Sequence, residues 1–305
     1  MPEESIFRLT AEEGGQRLDQ FIAASIPDLS RSAAQRLIRS GDVRVNDRMT
    51  KPSYRLEPGD AITVTIPPPE SETVLPEDIP LDVLYEDTDL VVINKPAGMV
   101  VHPAYGHTGG TVVNAALARW PEMIGVGGAK RAGIVHRLDK DTSGVMVLAR
   151  TPAALADLQR QFRERTIYKR YLALVEGIPA SSQGVIEAPI GRDPRQRKRM
   201  AVRRGGREAR TRYTLIEAFE EHALLSVEPL TGRTHQIRIH LAWLGHPVAG
   251  DPIYGYRKQR IKMKRLFLHA AELHLDSPST GERMRFEAPL PPDLQHVLER
   301  LRQER

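Results

Sequence analysis

Residues 133–149 read Gly-Ile-Val-His-Arg-Leu-Asp-Lys-Asp-Thr-Ser-Gly-Val-Met-Val-Leu-Ala. A charged island, His136 to Asp141, stands between the apolar flanks Ile134-Val135 and Val145–Leu148. Such flanks read as buried strands. A carboxylate held at the edge of a core is costly unless it is paired or used. Asp139 is therefore a candidate for chemistry, as a nucleophile or a base. The competing reading is a buried ion pair with a neighbouring arginine, and these residues alone leave both open. Asp141 begins Asp-Thr-Ser-Gly, which is also turn chemistry.

A second charged island, Thr231-Gly-Arg-Thr-His-Gln-Ile-Arg238, precedes an amphipathic segment. Arg233 falls where a turn gives way to that segment. From there it can pair with a buried aspartate and keep it ionised, or it can contact phosphate or cap a helix. Tyr171 begins an apolar run after Tyr168-Lys-Arg; a core tyrosine with its hydroxyl at the surface is the simpler reading. Ten histidines raise the question of a metal. His235 and His240 are five apart, however, which does not put them on one helical face, and no His-Glu-x-x-His or calcium-loop pattern occurs. No glycine run has phosphate-loop spacing, and there is no Gly-x-Ser-x-Gly elbow. Nucleotide-dependent and serine-hydrolase chemistry lose support.

The elements that must position these residues fall into three zones. Residues 14–66 read as a small α+β module. A helix is expected from Arg17 to Ala24 and a second from Arg31 to Ser40, with Ser30 as N-cap and Gly41 as terminator. The second helix carries Leu37 and Ile38 on one side and Arg31, Arg36 and Arg39 as basic positions. Val43 and Val45 lead into an Asn46-Asp47 turn, and Ala61–Ile66 reads as a strand. Residues 67–80 hold five prolines and four acids and read as a stiff, extended linker. Residues 81–305 are mixed. Leu90–Asn94 reads as a strand broken by Pro96-Ala-Gly98. Thr151-Pro152 opens a helix over 153–165, and Tyr171–Val175 reads as a strand. A helix capped by Thr234 carries Ile237, Leu241 and Leu244 on one face and ends at Gly245 and Pro247. Strands and helices do not alternate regularly, so an α+β fold with a mixed or antiparallel sheet is expected over a doubly wound one.

At 305 residues, 40% hydrophobic and 27% charged, the chain has an ordinary globular composition. It contains no cysteine, which excludes disulfides, thiolate metal sites and a cysteine nucleophile. That fits a reducing cytosol, and a cytoplasmic location is expected. Met1-Pro-Glu-Glu-Ser does not resemble a secretory signal, and no apolar run approaches membrane-spanning length. The net charge of +5 is clustered. Residues 192–212 hold ten Lys/Arg against two acids, and residues 257–265 hold six basic residues and no acid. Such clusters suit a phosphate backbone, and arginine pairs with phosphate bidentately.

Taken together and in order, these islands resemble the pseudouridine synthases of the RluA type. Gly15–Gln20 through Asp42–Asn46 resembles a small RNA-binding domain shared with a ribosomal protein. Ile79–Asp87 with Asn94-Lys-Pro96 resembles the start of the catalytic domain. His136–Gly144 resembles the catalytic motif, and Lys169-Arg-Tyr171 and Gly232–Arg238 resemble the other two. The resemblance implies a pseudouridine synthase fold: a mixed, largely antiparallel sheet with flanking helices and a central cleft. It implies Asp139 as the essential carboxylate, Tyr171 stacked on the target base and able to help remove its C5 proton, and Arg233 paired with Asp139. Arg137 would enter the RNA stack where the uridine leaves. His136 and the Arg31, Arg36 and Arg39 face are expected to contact RNA. Large-subunit ribosomal RNA is the expected substrate and transfer RNA the alternative, with the protein acting as a monomer.

The chemistry is consistent with that set. Isomerising uridine breaks N1–C1′, rotates the base and closes C5–C1′, so no redox partner, group donor or other cofactor is needed. A non-catalytic RNA-binding or ribosome-assembly factor would explain the basic clusters but not the Asp139, Tyr171 and Arg233 set. A metal-dependent nuclease would need ligands the sequence does not supply.

Overall fold

The computed structural model describes residues 5–67, 74–103, 108–128, 131–194, 196 and 199–304. Contacts divide the chain into two units, Met1–Glu72 and Thr73–Arg305.

In the first unit the elements run β1 (Ser5–Thr10), α1 (Leu18–Ser25), α2 (Arg31–Ser40), β2 (Val43–Val45), β3 (Arg48–Met49) and β4 (Ala61–Ile66). The four strands form an antiparallel sheet in the order β1-β4-β2-β3. Leu18, Ile22, Ala34 and Ile38 of the helices share one buried core with Val43, Val45, Ile62 and Val64. Local signals set the boundaries. The Ser30 hydroxyl accepts from Ala33 N–H, and Gly41 closes α2 at φ 90°, a cap of that kind contributing about 1 kcal/mol. Asn46 and Asp47 both take positive φ, 49° and 63°, as the tight hairpin between β2 and β3 requires. Strand β1 lies outside the module expected to begin at residue 14. Its pattern is mostly exposed, so the hydrophobic alternation that reveals a strand is weak. Buried Asp19 accepts hydrogen bonds from Arg17, Arg31 and Gln35 at 2.9, 3.1 and 2.6 Å, tying the two helices together. These partners hold its carboxyl well below the usual range, the Arg17 hydrogen bond foremost.

The second unit continues with β5 (Asp82–Glu86), β6 (Leu90–Lys95), α3 (Val112–Arg119), β7 (Ser143–Ala149), α4 (Pro152–Glu164), β8 (Tyr168–Glu176), β9 (Gln183–Glu187), β10 (Ile190–Arg192), β11 (Met200–Val202), β12 (Arg210–Ala218), β13 (His222–Pro229), α5 (Gln236–Trp243), β14 (Leu268–Asp276), β15 (Arg283–Glu287) and α6 (Pro292–Gln303). Nine of these strands form one sheet in the order β5-β6-β7-β14-β8-β13-β12-β9, with β15 on β14; β10 and β11 form a separate hairpin. Only the β7–β14 ladder is parallel, so the expected mixed, largely antiparallel sheet is present. Strands β6 and β7 are buried on both faces and read as continuous apolar runs for that reason. Val91, Ile93, Met146 and Leu148 pack with α3. Val92, Val145 and Val147 pack with Ala154, Leu155 and Leu158 of α4.

Two expectations are corrected. Ile134-Val135 is not a strand: Ile134 makes a single bridge to Leu148, and Gly133 turns the chain at φ 70°. Nor do residues 74–80 form a free linker. Val74 and Leu81 are buried, the Asn114 amide donates to Leu75 O, and the Glu77 carboxylate accepts from Gly110 N–H. Proline enrichment keeps this segment extended, but its apolar residues find a core to join. Residues 68–73 of the expected linker lie outside the described residues. No helix among the described residues is long and apolar enough to cross a membrane.

Candidate active site

Asp139 lies in the loop entering β7, and that loop is fastened from below. Lys95, fully buried at the end of β6, donates its Nζ to the carbonyls of Pro96, Met99 and Lys140 at 2.7, 2.8 and 3.2 Å. Gly98 N–H also donates to Lys140 O. The residue beside Asp139 is thus pinned to the 96–99 turn. Burial pushes the Lys95 ammonium down to about 8, against the pull of Asp141 and Asp139.

The Asp139 side chain, 19% exposed, faces a cleft of about 760 Å³. Its Oδ2 accepts from Arg238 Nη1 at 3.0 Å. Arg238 stands in the first turn of α5 and is itself locked. Its Nε and Nη2 donate to Asp251 Oδ2 and Oδ1 at 2.7 and 2.9 Å, a two-pronged pair with fixed geometry. Burial opposes the Arg238 cation, but Asp251 and Asp139 outweigh it and raise its pKa.

The expected Arg233–Asp139 pair is therefore corrected: the partner is Arg238, five residues on. Arg233 Nε donates instead to Glu208 O at 2.9 Å at the cleft, and burial with Arg207 and Arg165 lowers its pKa. The error lies in the helix start. Helix α5 begins at Gln236 and is capped by His235, in the left-handed region at φ 55°, rather than by Thr234. The Gln236 side-chain oxygen accepts from Arg233 N–H and Thr231 Oγ, closing a turn ahead of the helix that carries Arg238. An arginine set between Ile237 and Ile239 was the available signal.

Tyr171 comes to the cleft on β8, paired with Ala270 of β14 and Val227 of β13. Burial, with the Asp139 charge, pushes its phenol pKa up. His136 lines the cleft but is not a free cation. Its Nε2 accepts from Val147 N–H at 3.1 Å, and its ring stacks on Phe162 at 4.8 Å. Burial, with Lys169, pushes it down to about 3, so it meets RNA as a neutral ring or not at all. Arg137 is exposed at the cleft with no hydrogen bond among the described residues. Lys169, Arg163, Arg165, Arg207 and Arg210 add basic charge to the same walls. Arg31, Arg36 and Arg39 lie on α2 of the first unit, Arg31 drawn to Asp19 and the other two exposed.

Comparison with known proteins bears on this cleft. Residues 89–243 match the RNA pseudouridylate synthase family, and residues 16–62 match the S4 domain. An RNA pseudouridine synthase of Chloroflexus aurantiacus is 52% identical over 98% of this chain and 94% of the relative. The ribosomal large subunit pseudouridine synthase D of Xanthomonas campestris pv. campestris is 44% identical over 95% of this chain and 90% of the relative. The solved structure of human RNA pseudouridylate synthase domain containing 4 superposes with a TM-score of 0.59 at 30% identity, covering 72% of this chain and 93% of that one.

Proposed function

The chain belongs to the RNA pseudouridine synthases, which are isomerases, and from that premise we propose that it converts specific uridines of large-subunit ribosomal RNA to pseudouridine, with Asp139 as the reacting carboxylate. The observation that carries the assignment is the Asp139 carboxylate held by Arg238 inside a basic cleft that Tyr171 also lines. The ribosomal substrate rests on the relatives named for that RNA.

The cleft suits an extruded nucleotide. Its volume lies within the ~300–1,000 Å³ usual for small-molecule sites, and its walls carry the charge to hold flanking phosphates. Extruding the base costs a few kcal/mol, least at loops and already unstacked sites. Arg137, exposed and without a described partner, fits the place the departing uridine leaves. With Oδ2 engaged by Arg238, Asp139 turns Oδ1 toward the nucleotide. There it can attack C1′ or C6, or take a proton from the sugar, as N1–C1′ breaks. The uracil then rotates, C5 bonds to C1′, and the C5 proton departs. Tyr171 stays a phenol through this, since its pKa is raised. That favours stacking and hydrogen-bond donation over service as a phenolate base.

The test is tritium release from unmodified ribosomal RNA labelled at uridine C5, with wild type and Asp139→Asn side by side. Release by wild type alone, with RNA affinity retained in the variant, is expected. Full activity of Asp139→Asn would overturn the role of this carboxylate, and product mapping names the uridines.

A further inference from the structure

His235 and Tyr254 form a chain that ends at Asp139. His235 Nδ1 lies 2.9 Å from Tyr254 Oη, and its Nε2 lies 3.8 Å from Asp139 Oδ1, the oxygen Arg238 does not engage. Tyr254 Oη also accepts from Met200 N–H at 3.3 Å. Among the described residues His235 Nδ1 is the one acceptor within hydrogen-bond distance of the Tyr254 hydroxyl, so the phenolic hydrogen is assigned to it. Nδ1 is then an acceptor, so the imidazole hydrogen sits on Nε2, facing Asp139. The chain is held on both sides. His235 adopts φ 55°, ψ 23° and makes no helix-capping bond with its side chain, a backbone state that is strained in a residue other than glycine. Asp251 Oδ1 accepts from Ile253 and Tyr254 N–H while the same carboxylate grips Arg238. One buried carboxylate thus places both the arginine that holds Asp139 and the tyrosine that holds His235.

We propose that His235 is a positioning residue for Asp139, kept as the neutral Nε2–H tautomer by Tyr254, and that it restrains the second carboxylate oxygen without adding another positive charge beside it. This rests on Asp139 being the reacting carboxylate. At 3.8 Å the contact is not a hydrogen bond in the free protein, and it closes when the nucleotide fills the cleft. The charged and titratable groups facing His235 are Asp139, Asp251, Arg238, Arg137 and Tyr254. Burial is the largest influence and lowers its pKa, with Asp139 opposing. Removing the Tyr254 hydroxyl frees Nδ1 to take a proton, so the imidazolium forms at higher pH and neutralises Asp139.

The experiment is the pH profile of kcat and kcat/KM, from pH 5 to 9 on C5-tritiated ribosomal RNA, for wild type, Tyr254→Phe, His235→Gln and His235→Leu. The acid limb of Tyr254→Phe is expected to move up by about one pH unit, with its largest loss in kcat at low pH and little change in KM. His235→Gln, whose amide N–H replaces Nε2–H and does not titrate, is expected to keep at least ten times the kcat of His235→Leu and to show no such shift. An acid limb unmoved in Tyr254→Phe, or a glutamine variant no better than leucine, overturns the proposal. If Tyr254→Phe does not fold, the Gln/Leu ratio decides alone. Asp139→Asn run in parallel separates the two readings. If it is active, the assignment of Asp139 fails; if it is inactive while the profile stays unmoved, only the role of His235 fails.

Discussion

Arg238 and Arg233 stand five residues apart and have different surroundings, so their removal has different consequences. Arg238→Ala leaves Asp251, which is wholly buried, with no countercharge. Breaking a buried pair in this way costs about 3–5 kcal/mol. It also frees Asp139 to rotate. The expected result is a lower urea midpoint together with a fall in kcat of at least a hundredfold. Arg233→Ala removes a half-buried guanidinium from the cleft wall and one bond to a carbonyl. It should raise KM for RNA several-fold, with kcat and the midpoint nearly unchanged. Steady-state kinetics and urea titration of both variants check this; a kcat collapse in Arg233→Ala with a silent Arg238→Ala would reverse the assignment. Asp139 was visible in the sequence because a charged island between apolar flanks contradicts its neighbourhood. Its arginine was not, since the choice between two arginines of one motif depends on where a helix starts, and a left-handed histidine delayed that start by one residue.

At the scale of elements, the site depends on a close approach at Gly144. Gly144 has φ 117°, and a Cβ added there would lie 2.1 Å from Ala270 O, at the point where β7 meets β14 in parallel. Backbone cannot yield as a flexible side chain can. Gly144→Ala should therefore destabilise by about 3–4 kcal/mol and reduce activity by displacing the loop that holds Asp139. Thermal unfolding with C5 tritium release tests it; a variant with native midpoint and rate would mean the two strands are not held this tightly. The elements that were legible are those with local signals: α2 between Ser30 and Gly41, α4 behind Thr151-Pro152, and β4 and β6 from their apolar runs. The pairing of β7 with β14 joins residues more than a hundred positions apart. No local pattern encodes it, because many apolar strands would satisfy the same alternation.

At the scale of the molecule, each of the two units has its own core. The first matches the S4 domain, and the residues proposed for catalysis all lie in the second. Removing residues 1–72 should raise KM for ribosomal RNA at least tenfold while leaving kcat at saturating RNA within a few-fold, and the dependence of binding on salt should flatten as phosphate contacts are lost. Filter binding across salt concentrations with parallel turnover assays measures this; an unchanged KM would remove the first unit from substrate binding.

The position of β14 also sets a timetable. In sheet order it lies between β7 and β8, yet in the chain it follows every other strand except β15. The loop of Asp139 leads into β7 and Tyr171 sits on β8, so the sheet unites the two only once residues 268–276 are in place. During synthesis the first unit can close its own core early, whereas the strand that joins the two halves of the cleft emerges only after both of them. A growing chain can thus acquire a grip on RNA well before it has a centre with which to modify it, and premature termination upstream of residue 268 leaves a binder without catalysis.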